Sequence, residues 1–209
     1  PAPPPAPTPP APPTYTTGDF TAAVNTVSTV GIDGMTTYQL SISLATDATV
    51  YAMAGKPDTP LSMPAAFQVA TPFGANVGGV SPAFFPVSAD AEFDSWLTIG
   101  STDGSLGTAV SSIGIDFGVW DLETPMLLDS AVGGSVFLMD PSTGPSGDVV
   151  LAQLTIPSSS SATAGALLQG RSTANEDWQS AAVWTIEGGE PAPAPPPAPT
   201  PPAPPTYTT

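Results

Sequence analysis

The sequence predicts an all-β domain, an antiparallel, jelly-roll-like β-sandwich, flanked by two polyproline II linkers. Three observations carry this expectation. The clearest run, residues 35–45, places Tyr38, Leu40, Ile42 and Leu44 on one face and Thr37, Gln39, Ser41 and Ser43 on the other, the period of a half-buried strand. The middle of the chain is rich in Ala, Gly, Ser, Thr and Val and holds both basic residues, Lys56 and Arg171. A surface helix needs Glu, Lys and Arg for its wet face, whereas small and β-branched residues suit strands and tight turns. Last, about nine or ten short runs follow one another at turn-bounded spacing, and none has a helical period.

In chain order, residues 19–30 alternate weakly through Phe20, Ala22 and Val24 and enter a sheet; Gly31-Ile32-Asp33-Gly34 is a turn. Residues 35–45 form the strongest strand. Asp47 turns it, and residues 49–53 read as its hairpin partner. Residues 56–86 are a long irregular excursion, with a short helix at 60–66 as one option and with Phe67, Phe73, Phe84 and Phe85 pinning it to the core. Residues 90–100 (DAEFDSWLTIG) enter a second strand through Trp96 and Thr98. Residues 113–120 (IGIDFGVW) give a third, with Ile113, Ile115, Phe117 and Val119 on one face. Residues 135–139 and 148–156 flank DPSTGPSGD and resemble a hairpin. The four serines 158–161 read as a surface loop, and residues 165–171 and 181–187 are the last two strands.

The two ends carry the same seventeen letters. Residues 1–17 read PAPPPAPTPPAPPTYTT, and residues 193–209 repeat them, so that Pro193 stands 192 positions after Pro1. Composition bias can reproduce the Pro/Ala alternation but not the place of every Thr and the closing Tyr-Thr-Thr. The chain therefore divides into a first linker copy (1–17), a β-sandwich domain (18–190) and a second linker (191–209), read as the start of a further linker–domain unit in a tandem or head-to-tail array. Proline fixes φ and removes a backbone donor, and it holds the preceding residue extended. Residues 191–205 are expected to form a polyproline II rod of roughly 45 Å at about 3.1 Å per residue. A PxxP ligand for an aromatic groove usually carries a flanking Arg or Lys, and neither is present.

Charge and composition exclude several classes. All 18 acidic residues lie in the middle and the net charge is −16, which argues against nucleic acid and anionic membrane surfaces as partners. Without Cys or His there is no disulfide framework, no usual zinc or haem site, and no base for a serine nucleophile. A phosphate loop lacks its Gly-Lys-Ser/Thr element. A glycosidase needs two carboxylates in a recognisable frame, which the sequence does not offer. Trp96, Trp120, Trp178 and Trp184 could stack on sugars but suit a core equally well. The chain is therefore read as a non-enzyme without cofactor, Ca²⁺ being the one candidate ion. Asp90, Glu92 and Asp94 fall on one face of an extended segment, where oxygen ligands suit Ca²⁺; a solvated strand entry is the reading the pattern favours over that ion site. No Asn-x-Ser/Thr sequon occurs, so any covalent glycan sits on Thr, Ser or modified Pro.

The PPAP, PPPAP and PPT tracts resemble the hydroxyproline-rich extracellular glycoproteins of algal walls and protist coats, and the overall plan is similar to glycan-coated extracellular fibril proteins from freshwater. The resemblance covers only residues 1–17 and 191–209. It implies secretion to a wall, coat or appendage, with glycans on Pro3, Pro4, Pro5, Thr8, Pro9, Pro10, Pro12, Pro13 and Thr14, and on Pro195, Pro196, Pro197, Thr200, Pro201, Pro202, Pro204, Pro205 and Thr206. Two functions follow: a structural unit of a glycosylated filament made of copies of itself, or a carbohydrate-binding module on a Pro/Thr-rich linker. The identical linkers favour the first. In it, Tyr15, Thr16, Thr17 and their equivalents Tyr207, Thr208, Thr209 are the expected assembly residues, entering a sheet of their own domain or of its neighbour.

Overall fold

The computed structural model describes residues 18–105 and 109–189. Both linkers, with every candidate glycosylation and assembly residue named above, lie outside the described residues. The described chain is two antiparallel sheets packed face to face. Its strands are β1 (Phe20–Ser28), β2 (Met35–Leu44), β3 (Thr49–Gly55), β4 (Leu61–Met63), β5 (Trp96–Leu97), β6 (Val110–Ile113), β7 (Met126–Leu128), β8 (Gly134–Leu138), β9 (Asp148–Pro157), β10 (Ala162–Arg171) and β11 (Asp177–Ile186). The first sheet runs β1-β2-β9-β5. In the second, β10 pairs with β11 on one side and with β3 and β4 in succession on the other; β8 and β7 pair with β3 and β4, and β6 closes the edge beyond β8.

The core forms between the sheets from the alternating residues of β2 (Tyr38, Leu40, Ile42, Leu44) and the apolar run of β9 (Leu151, Leu154, Ile156). Facing them are Val50, Met53, Leu168, Trp178 and Trp184 of the second sheet. Trp184 also donates its indole N–H to the carbonyl of Ser41 at 2.8 Å, a bond that spans the sandwich. The reverse face of the first sheet is polar: Gln39 donates to Gln153 at 3.1 Å and Thr37 pairs with Thr155 at 2.7 Å, both as direct cross-strand neighbours.

The structure departs from the sequence expectation at several elements. β3 is not the hairpin partner of β2: after the left-handed Asp47 (φ 67°) the chain crosses to the other sheet. β8 and β9 likewise belong to different sheets rather than to one hairpin. Residues 60–66 hold β4, not a helix. The run 113–120 is not a strand, because Gly114 turns left-handed (φ 70°) directly after β6 and the chain continues as a 3-10 turn at Phe117–Val119. Ile113 and Val119 are consequently exposed. Residues 90–94 are mostly a second 3-10 turn, Ala89–Phe93, and only Trp96–Leu97 pair as a strand.

β3-β4 and β7-β8 are each one long strand interrupted at the same level. The pairs Ala52↔Phe137 and Leu61↔Leu128 keep a common register across matching excursions at 56–60 and 129–133. Close packing of the backbone holds this node together. A Cβ on Gly55 would come within 2.4 Å of the Leu128 carbonyl, and one on Gly133 within 2.6 Å of the Gly55 carbonyl.

The long excursion 64–95 packs on the outside of the first sheet. A second, smaller core of Val80, Ala91 and Trp96 takes in Phe73 and Phe85, two of the four phenylalanines expected to pin the excursion; Phe67 belongs to neither core. Phe84 is exposed and meets Phe73 edge-on with ring centres 5.9 Å apart.

Candidate assembly surface

The three carboxylates expected to bind Ca²⁺ are not brought together. Asp90 and Glu92 are exposed on the 3-10 turn Ala89–Phe93, while Asp94 is fully buried at its end. Asp94 is spent on the backbone: its two carboxylate oxygens accept from the amides of Val69 and Ala75, each at 2.7 Å. Its carbonyl accepts from Gln153 at 2.9 Å. Burial outweighs these bonds and lifts its pKa from 3.8 to about 6. Asp94 thus clamps the 69–75 loop to the sheet, and the Gln39–Gln153 pair extends that clamp to β2. Among the described residues no group of three or more His, Cys, Asp or Glu is placed to hold a metal.

Much of the negative charge makes turns. Asp116, Asp121 and Asp140 each accept from the amide two residues on, at 3.0, 2.8 and 2.9 Å. Asp103 accepts from both the amide and the hydroxyl of Ser105. The Ser142 hydroxyl holds the Asp140 carboxyl below its ordinary range, the Glu123 amide does so for Asp121, and the Ser105 hydroxyl for Asp103. These acids explain the local chain reversals without a ligand.

All four tryptophans and both described tyrosines, Tyr38 and Tyr51, are buried. Burial, and next the nearby Asp177 carboxylate, raise the Tyr51 phenol. No Trp or Tyr among the described residues offers a flat platform for a sugar. A shallow groove of about 310 Å³ on the outside of the second sheet is lined by small residues, Ser62, Thr163, Gly165, Ala181 and Val183 among them, with Asp58 at its rim.

The feature that sequence reading left undeveloped is the pair of strand edges beside one another. Among the described residues β1 pairs with β2 alone, and β11 with β10 alone. The two strands meet at Phe20 and Trp178, whose ring centres are 5.9 Å apart. By contrast β5 is two residues long, and residues 76–78 cover its edge through Asn76, which accepts from the Leu97 amide, and Gly78, which donates to the Leu97 carbonyl. β1 is long; its register on β2 shifts only near its end, between Thr26 and Ser28, and Phe20–Ser28 contains no charge and no proline, with Thr21, Ala23, Asn25 and Val27 exposed. Its weak alternation in the sequence is the mark of an edge strand with only one wall.

The described chain also enters and leaves the sandwich at opposite poles. Gly18 sits against the Trp178 ring, so close that a Cβ there would lie 2.3 Å from it, at the start of β11. At the other end of β11, Gly188 donates to the Ser161 hydroxyl at 3.0 Å and Gly189 to the Ser158 carbonyl at 3.1 Å. At about 3.4 Å per residue, β11 separates the two points by roughly 30 Å. We found no matching protein-family model, no matching curated protein and no matching solved structure.

Proposed function

We propose that this chain is a structural unit of an extracellular, glycosylated filament, in which β-sandwich domains are joined head to tail by polyproline rods. One observation carries the reading: identical seventeen-residue segments flank a single domain, Pro193 repeating Pro1 and every residue after it. Opposite points of entry and exit support it, because they let the rods continue the line of the domain rather than double back. One relation between neighbours, applied repeatedly without closure, generates a helix. The rods would carry the glycans on their Pro and Thr residues, and the partners are copies of the chain itself, with no catalysis assigned.

The carbohydrate-binding alternative draws no support from the described surface, where no Trp or Tyr is available for stacking. The complete gene together with the intact mass of native material tests the reading. A continuing 192-residue period is expected, with a native mass above that of the bare polypeptide, which is 20.9 kDa for the 209 residues given. A single sandwich joined to an unrelated catalytic domain would replace the structural reading with the binding-module one.

A further inference from the structure

We propose that the β1 edge, which no described strand covers, accepts residues 206–209, Thr-Tyr-Thr-Thr, of a neighbouring copy of this chain as an added antiparallel or parallel strand. The inference rests on the filament reading and names the contact that would lock it. Strand addition needs successive backbone donors on the incoming segment and an unpaired row on the edge. Within each copy of the repeated segment, proline removes donors from most of the tract, and only the closing Thr-Tyr-Thr-Thr offers four N–H groups in succession; in the second copy these are Thr206, Tyr207, Thr208 and Thr209, on the side of the chain that leads away from its own β1. Thr and Tyr also favour strands.

Charge selects the same pair. A chain at −16 repels its copies, so the contact requires neutral partners. The rod and its Thr-Tyr-Thr-Thr end carry no charge, and neither does Phe20–Ser28. The neighbouring edge fits less well: β11 begins with Asp177 and runs into Glu187. On β1, Phe20, Ala22 and Val24 pack into the core, which leaves the exposed Thr21, Ala23 and Asn25 as positions that can be changed without touching it.

The chain has no cysteine, so disulfide trapping has no background. Full-length chain carrying Ala23→Cys is combined in turn with Thr206→Cys, Thr208→Cys or Thr209→Cys and oxidised. A disulfide requires Cα atoms about 4.4–6.8 Å apart. Inter-copy linkage between position 23 and at least one of the three, at more than about tenfold the yield of the single variants, is expected if the strands are true neighbours. Predominant linkage of position 23 to itself would mean that β1 pairs with β1 and would overturn the proposal, as would linkage at none of the three. In parallel, Ala23→Asp and Thr208→Pro should abolish filaments while leaving the melting temperature of the domain unchanged, and Tyr207→Phe should retain them. Filaments of unchanged rise and twist in the first two variants would sink this contact but leave the filament reading standing. Absence of filaments from the unmodified chain would sink the filament reading and the contact with it.

Discussion

Replacing Asp94 by asparagine tests how the buried clamp works. The wild-type carboxylate is fully buried, and its oxygens accept from the Val69 and Ala75 amides at 2.7 Å each. Its pKa rises from 3.8 to about 6 in the folded state because burial penalises the charge more than the two amides favour it. Between those values the native state binds more protons than the unfolded chain, so this group's contribution to stability falls as pH rises from about 4 to about 6 and is flat beyond. The change is worth about 3 kcal/mol. Asparagine cannot titrate, and one of its two termini faces an amide donor with another donor, a mismatch of about 1–3 kcal/mol that is independent of pH. The assay is urea unfolding of wild type and Asp94→Asn at pH 4, 5, 6 and 7. The wild type should lose stability relative to the variant by about 2 kcal/mol across that range, the rest of the change lying below pH 4. A flat difference, or a wild type that gains on the variant toward pH 7, would refute the reasoning and show that the amide bonds dominate.

Three further outcomes follow from the packing and the surface. Gly170→Ala should unfold the domain or cost more than about 3 kcal/mol, because its Cβ would lie 1.9 Å from the Thr49 carbonyl and 2.4 Å from the Trp178 ring; a wild-type urea midpoint would contradict this. Trp184→Phe keeps an aromatic side chain but removes the N–H that serves the Ser41 carbonyl and leaves a void at a buried position, and should lower stability by at least about 1–3 kcal/mol in chemical denaturation. Chelation with EDTA, or added Ca²⁺, should leave the melting temperature of the domain unchanged, since Asp94 is committed to backbone amides while Asp90 and Glu92 are exposed; a rise with Ca²⁺ would restore the ion-site reading.

The sandwich was legible because its longest strands carry their pattern openly. Residues 35–45 alternate apolar and polar as β2 does between its core face and its polar face, and the runs 165–171 and 181–187 fall on β10 and β11, each starting late by three or four residues. Pairing was not legible. Nothing in Thr49–Gly55 says that the chain crosses to the other sheet, because a corner and a hairpin use the same turn residues. IGIDFGVW misled for a local reason: a period-two pattern does not reveal that Gly114 adopts φ 70° and ends the strand. The acidic trio misled because a 3-10 turn distributes side chains differently from a strand, exposing Asp90 and Glu92 and burying Asp94. A carboxylate set directly before the buried Ser95-Trp96-Leu97-Thr98-Ile99 was the available signal for that clamp. The linker repeat was plain in the sequence, whereas the opposite poles of entry and exit depend on tertiary contacts of Gly18, Gly188 and Gly189.

Electron cryo-microscopy of native extracellular material is the most direct measurement of the proposed role. The account predicts helical filaments built from two-sheet domains, with extra glycan density along the connecting rods. Linked domains should repeat at no more than about 75 Å, the sum of a roughly 30 Å sandwich and a roughly 45 Å rod. Domains seen only as isolated particles, or filaments whose subunit density does not fit this sandwich, would contradict it.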